Sequence, residues 1–225
     1  ITAANLSNVQ IAEIPAQIET GRPLTPAIVA TYNGHTLVEG TDYTVTYTNN
    51  TNAVDGSTNE ATALVRAVNG GNFTGSKTLR FDIIPREDAA DYTDLTKAAV
   101  TLTPSSFNYD GSKKEPAVAV AVNNVTVDPA NYQVQYLDNV AVGTATAVIT
   151  PSEAGKAAGV VGTARANFSI VRTAVVANQI GIDVAAATYT GAPVTPKATV
   201  TYTPAGGSPI PLTQGTDYDI AYRNN

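Results

Sequence analysis

The sequence predicts an all-β chain built of tandem antiparallel β-sandwich modules, and three observations predict it. First, the pattern tyrosine, any residue, branched aliphatic, any residue, tyrosine occurs three times, as Tyr43-Val45-Tyr47, Tyr132-Val134-Tyr136 and Tyr218-Ile220-Tyr222, each followed two or three residues later by asparagine. The copies start 89 and 86 residues apart (132 − 43 and 218 − 132), which marks a repeated unit of a little under 90 residues. Second, residues within each copy alternate between apolar and polar, as a half-buried strand requires. Third, turn signals recur about every 8 to 12 residues, and no stretch longer than about ten shows a helical period.

The first unit opens with an alternating stretch, Val9 to Ile14, and then a hinge, Gly21-Arg22-Pro23-Leu24-Thr25-Pro26. The third unit repeats the hinge as Gly191-Ala192-Pro193-Val194-Thr195-Pro196, and the second keeps Gly111 and Pro116 of it. Two prolines three apart cannot both donate to a ladder, so the hinge predicts an edge kink or a crossover between sheets. Ala27 to Tyr32 is the next strand, and it ends at Asn33-Gly34. That dipeptide tolerates positive φ at both positions and predicts a type I′ hairpin into a short strand through Leu37.

Gly40-Thr41-Asp42-Tyr43 leads into the tyrosine strand, matched by Gly215-Thr216-Asp217-Tyr218 and by Pro129-Ala130-Asn131-Tyr132. Aspartate or asparagine at that position is expected to bond the backbone two residues on. Tyr43, Val45 and Tyr47 face the core and Thr44, Thr46 and Thr48 face outward, with the rings buried and each hydroxyl at a rim or on a neighbouring carbonyl. Two further strands close each complete unit, Ala61 to Val68 then Ser76 to Ile84, matched by Ala145 to Thr150 then Thr163 to Val171. Their ends agree, Phe81-Asp82-Ile83 against Phe168-Ser169-Ile170.

These elements place the modules at residues 1–86, 87–173 and 174–225, with linkers from Pro85 to Leu95 and near Arg172 to Asn178. A module of this size hides only about 60 to 65% of its unfolded surface, so each core is thin and neighbour contacts matter for stability. Asn225 corresponds to Asn50 of the first unit, so the third unit lacks its last two strands. It is expected to be either truncated or completed by another chain, because open sheet edges invite association. With Ile1 first and neither signal peptide nor anchor, the chain is expected to be a piece of a longer one.

Composition narrows the function classes. No window reaches the roughly 18 consecutive apolar residues that a membrane helix needs. A net charge of −6, with no basic cluster interleaved with aromatics, argues against nucleic acid as a partner. Cysteine is absent, which excludes disulfides, thiol catalysis and thiolate metal sites. Methionine and tryptophan are absent as well, which suits an oxidising, extracellular setting.

The combination of Tyr-Asn-Gly, Gly-Thr-Asp-Tyr-x-Val-x-Tyr-x-Asn-Asn and Asn-Phe-Thr-Gly-Ser-Lys-Thr (Asn72 to Thr78) resembles the tandem bacterial immunoglobulin-like repeats of large surface proteins from Gram-positive and gut bacteria. The first unit matches best and the third matches through its end. The second replaces Gly-Thr-Asp with Pro-Ala-Asn and lacks the Asn-Phe-Thr segment. The resemblance implies a cell-surface, cell-wall or secreted protein whose modules act as spacers or adhesion segments.

Candidate chemistry is sparse. His35, the only histidine, follows the Asn33-Gly34 turn with no nucleophile arrangement around it, and reads as a solvated hairpin residue. Glu87, Asp88, Asp91 and Asp94 crowd the first linker, where some extracellular arrays clamp calcium; the alternative is a solvated charged linker. Lys113 or Lys114 with Glu115 and Asn167 supply the residue types of a lysine-to-asparagine cross-link, which needs a buried acid; chance occurrence is the alternative, since Arg80 stands where Asn167 aligns. Asn5, Asn49, Asn72, Asn124 and Asn167 begin Asn-x-Ser/Thr triplets, which a threonine-rich chain produces by chance.

No catalytic, cofactor-binding or metal residue is therefore assigned, and an enzyme is not expected. The leading expectation is a non-catalytic stalk or adhesion segment whose modules follow end to end, each adding roughly 30 to 40 Å, and carry load beside neighbouring modules of the parent chain. The alternative is a recognition module that binds a glycan or a host or matrix protein through loops such as Ala53 to Glu60, including Val54 to Thr58, or Pro204 to Pro211.

Overall fold

The computed structural model describes residues 2–53, 61–172, 174, 176–188, 190–204 and 206–223. The chain is all-β, a set of small, mostly antiparallel sheets with one short α-helix, Glu153–Ala157, among the described residues. Residues 1–107 and 113–170 form one compact unit, and residues 108–112 and 171–225 a second.

In the first part of the larger unit, strands Gln10–Ile11, Ala30–Tyr32 and His35–Thr36 form one sheet, and Tyr43–Thr48, Ala61–Ala67 and Ser76–Phe81 form another. The two sheets contribute to one core, with Leu6, Ala30, Tyr43, Ala63, Val65 and Phe81 all buried in it. Asn33 and Gly34 both take positive φ (50° and 81°) and close the hairpin that pairs Tyr32 with His35, as the dipeptide predicts. Tyr43 and Tyr47 stand opposite Ala67 and Ala63 across the ladder, so each ring lies over a small side chain. Small beside large is how a thin core fills without voids.

The second part of this unit repeats the arrangement. Strands Ala99–Thr103, Ala117–Val122 and Val125–Thr126 form one sheet, while Tyr132–Leu137, Gly143–Pro151 and Ala164–Val171 are consecutive neighbours in another. Leu95, Val120, Tyr132, Ala147, Ile149 and Val160 are buried together. The rings of Tyr47 and Phe81 meet edge to face at 6.4 Å, and those of Tyr136 and Phe168 at 6.1 Å, so the aligned ends of the two copies make the same contact.

Three details depart from the sequence expectations. The chain changes sheet a first time before the hinge: Gln10–Ile11 pairs with Ala30–Tyr32, but Gln17–Ile18 pairs in parallel with Ile83–Ile84, with Pro15 between. Asp42 does not bond forward; its Oδ2 accepts from the Val38 N–H, four residues earlier, at 2.8 Å, and Asp217 does the same with Thr213. Each copy in the larger unit also begins with a capped single turn: Asn5 accepts from the Ser7 N–H and Asp94 from the Thr96 N–H, each dropping a leucine, Leu6 or Leu95, to the bottom of its core.

The hinge between the sheets is held by the tyrosine strand. Tyr47 Oη donates to the Pro26 carbonyl at 2.5 Å and Tyr136 Oη to the Pro116 carbonyl at 2.6 Å; in the second unit Tyr222 donates to the Pro196 carbonyl. The asparagine that follows adds a two-point clamp. Asn50 Nδ2 donates to the Leu24 carbonyl at 2.8 Å while the Leu24 N–H donates to the Asn50 carbonyl at 2.7 Å. Asn139 and Lys114 exchange the same pair at 2.9 and 2.8 Å. A hinge without a ladder leaves backbone polar groups to satisfy, and the motif satisfies them.

Burial, then Glu39 and Tyr43, push the Tyr47 hydroxyl up to about 12. Folded, Tyr47 keeps its proton while the unfolded chain ionises near pH 10. Its contribution to stability is therefore fully present below about pH 10 and is lost as pH rises towards 12. In urea unfolding at neutral pH, Tyr47→Phe is expected to cost about 1 to 2 kcal/mol, because the Pro26 carbonyl loses its donor. Between pH 10 and 12 the gap between the variant and the wild type is expected to narrow.

Candidate functional site: the junction within the larger unit

The residues singled out from the sequence do not converge. His35 is exposed on strand His35–Thr36 and shares a shallow groove with Tyr32 and Asp42, whose carboxylate is already held by the Val38 N–H. Asp94 is the buried cap of the turn Leu95–Lys97, bonded to Thr96 Oγ1 at 2.6 Å and paired with Lys97 at 3.2 Å. Asp88 and Asp91 lie on the single helical stretch Arg86–Asp91, and the Glu87 side chain falls outside what is described. Among the described residues no three histidine, aspartate or glutamate side chains gather as a metal site would require.

For the cross-link set, Lys114 is buried in the hinge while Glu115 is exposed. Asn167 points outward, its amide oxygen accepting from Thr146 Oγ1 at 3.0 Å. These three positions do not share the buried acid environment that such chemistry needs. Asn49, Asn72 and Asn124 are also exposed, whereas the Asn5 amide oxygen is engaged as a cap. Val54 to Thr58 lies outside the described residues, as does most of the Ala53 to Glu60 loop.

What the fold does bring together is a junction. Along Tyr132–Leu137 and Gly143–Pro151, Leu137 and Val148 occupy outward positions, the same face as the exposed Gln133 and Gln135. Both are nevertheless buried, at 6% and 1% exposure, because Ala12 and Val29, which flank the paired strands Gln10–Ile11 and Ala30–Tyr32, pack on them. Directional bonds flank this contact. The Gly162 N–H donates to the Ala16 carbonyl at 2.9 Å, and Lys156 Nζ reaches Glu13 at 2.8 Å and Glu153 at 2.9 Å.

Those two carboxylates hold the Lys156 ammonium above the ordinary lysine range. The groups are largely solvated, so the ion pair aligns the parts more than it stabilises them. Tyr43 is held above the tyrosine range by burial first and by Glu39, with Arg165 from across the junction pulling the other way. Beside the apolar contact runs an open cleft lined by Glu13, Gln133, Gln135, Thr150, Lys156 and Thr163. These side chains can hydrogen-bond, but none is an activated nucleophile or a base held by a third group.

Sequence reasoning passed over Ala12, Val29, Leu137 and Val148. The available signal was slight: Leu137 is aliphatic where Tyr43–Thr48 carries Thr48, whereas Val148 aligns with Leu64, which is itself aliphatic. In the second compact unit, the hairpin that joins Ala198–Tyr202 to Ile210–Pro211 spans residues 203–209, where the corresponding turns are Asn33-Gly34 and Asn123-Asn124. Gly206 to Pro209 are exposed at its tip. Among the described residues no helix is long and apolar enough to cross a membrane.

Val148→Asp puts a carboxylate into the junction and is expected to cost roughly 3 kcal/mol in urea unfolding and to speed hydrogen exchange at the Gly162 amide. Thr46→Asp, on the equivalent exposed face of the first sheet pair, is expected to stay within about 0.5 kcal/mol of the wild type. Compared with protein-family models, curated proteins and solved structures, the chain matches none.

Proposed function

We propose that the chain is a non-catalytic spacer or adhesion segment of a bacterial cell-surface protein, built from immunoglobulin-like repeats and acting outside the cell by holding distance and bearing load. The observation that carries this reading is the latch: in each of the three copies the second motif tyrosine bonds the carbonyl of a hinge proline, 20 to 26 residues away in sequence. A bond repeated at the same place in every copy serves the mechanics of the module, since a ligand site has no reason to recur inside every core. The packed junction supports it too, because docked neighbours transmit force and direction where flexible beads do not.

Neighbouring repeats are the expected partners under this reading, with neither nucleic acid nor membrane insertion involved. A second reading, recognition of a glycan or of a host or matrix protein, is favoured by the longer connection between the paired strands Ala198–Tyr202 and Ile210–Pro211, in which Gly206 to Pro209 are exposed.

Single-molecule pulling on a chain tethered at both ends tests the first reading. The expected trace is a sawtooth with increments of about 250 to 300 Å, the contour length of a repeat at roughly 3.4 Å per residue. Tyr136→Phe should lower one peak. Featureless extension at low force would count against load bearing. For the second reading, replacing Gly206 to Pro209 by a two-residue Asn-Gly turn is expected to abolish any binding found on glycan or matrix-protein arrays.

A further inference from the structure

In the second compact unit, strand Ile180–Val184 pairs with Ala198–Tyr202, setting Ile182 opposite Val200 and Val184 opposite Ala198. The same register appears twice in the larger unit, where Ile11 pairs with Ala30, Val100 with Val120 and Leu102 with Val118. There Ile11, Val100 and Leu102 pack on their cores. Their cover comes from the two strands that follow the tyrosine motif: Ala61, Ala63, Val65 and Phe81 in the first copy, Ala147, Ile149 and Ala164 in the second. In the second unit Ile182 is 66% exposed and Val184 52% exposed. Among the described residues, Asp219 to Arg223 join no ladder, although Tyr222 is latched to Pro196 as in the other copies.

We propose that this unit is an acceptor for a two-stranded antiparallel β segment of the same repeat type. Its first strand would lie along Tyr218 to Tyr222 as Gly143–Pro151 lies along Tyr132–Leu137, and its small and aliphatic residues would cover Ile182 and Val184. The occupant is specified by what covers the two register-equivalent faces. The threonine-rich outer faces of the chain lack that alternation of alanine, valine, isoleucine and phenylalanine. Two exposed aliphatic side chains in line on one strand face, together with a segment that joins no ladder, are the two terms that strand addition would use: a hydrophobic floor and backbone groups outside any sheet. This inference stands whether the chain serves as a spacer or as a recognition module.

The test uses a labelled synthetic peptide with the sequence of residues 143–171, titrated with the full chain by fluorescence anisotropy. The same peptide sequence is also appended after residue 225 through a glycine-serine linker. Saturable one-to-one binding is expected, weakened roughly tenfold or more by Ile182→Asp and unchanged by Asp183→Asn, whose side chain lies on the other face of the strand. The fused chain is expected to gain hydrogen-exchange protection over 180–184 and 198–202, and Ile182→Asp should remove that gain. Three outcomes would overturn the proposal. They are no binding in trans together with no protection in the fusion, equal binding by the Ile182→Asp variant, or sedimentation of the chain alone as a dimer that Ile182→Asp dissolves, which would make a second copy the occupant.

Discussion

The bond from a motif tyrosine to a hinge proline carbonyl is the constraint on which the rest of each repeat depends. The hinge carries the chain from one sheet to the other and makes no ladder of its own, so without an external donor its carbonyls would face a largely apolar interior. Tyr47 and Tyr136 meet that need from the opposite sheet, and Asn50 and Asn139 take up the backbone two residues before the proline. One such bond contributes only about 1 kcal/mol. The whole stability of a small domain is of order 5 to 15 kcal/mol, so three bonds closing one crossing are a large share.

Much of this could be read from residues alone, and the reason is local chemistry. Asn33-Gly34 specifies its turn through backbone φ, Tyr43 to Thr48 its two faces through alternation, and the paired hinge prolines their lack of a ladder. The tyrosine hydroxyls were expected at a rim or on a carbonyl, and those of Tyr47, Tyr132, Tyr136 and Tyr222 are found on carbonyls, although which carbonyl depends on the crossing of two sheets. What escaped the sequence is what depends on distance through space. The early sheet change at Pro15, the Leu6 and Leu95 plugs and the backward bond of Asp42 involve residues whose local preferences admit several geometries. The short helix Glu153–Ala157 is too brief to show a period, and its Ser152 cap is its main local signal.

The junction illustrates the same limit. Val148 sits on an outward face, and the alternation of its strand is satisfied whether or not anything covers it. Only the approach of Ala12 and Val29 turns that position from a tolerated aliphatic into a buried one. Apolar contact of this kind is non-directional, so it would allow the parts to slide. The Gly162 to Ala16 backbone bond and the Lys156 bridge to Glu13 add the directional terms that fix one orientation.

Comparing the copies separates what is constrained from what is free. The interiors of the two copies in the larger unit agree: second motif tyrosine over an alanine, its ring against phenylalanine, its hydroxyl on proline, asparagine on the hinge. Their outward faces diverge, with Thr44, Thr46 and Thr48 exposed in one copy and Gln133, Gln135 and a covered Leu137 in another. A core held by the same latch in each copy can still present different surfaces on the same frame, because alternation puts the latch and the surface on opposite sides of one strand. Under the proposed reading, individual repeats are thereby assigned to docking, to display or to exposure with no change in the fold, and the polar outer face decides which role each copy takes.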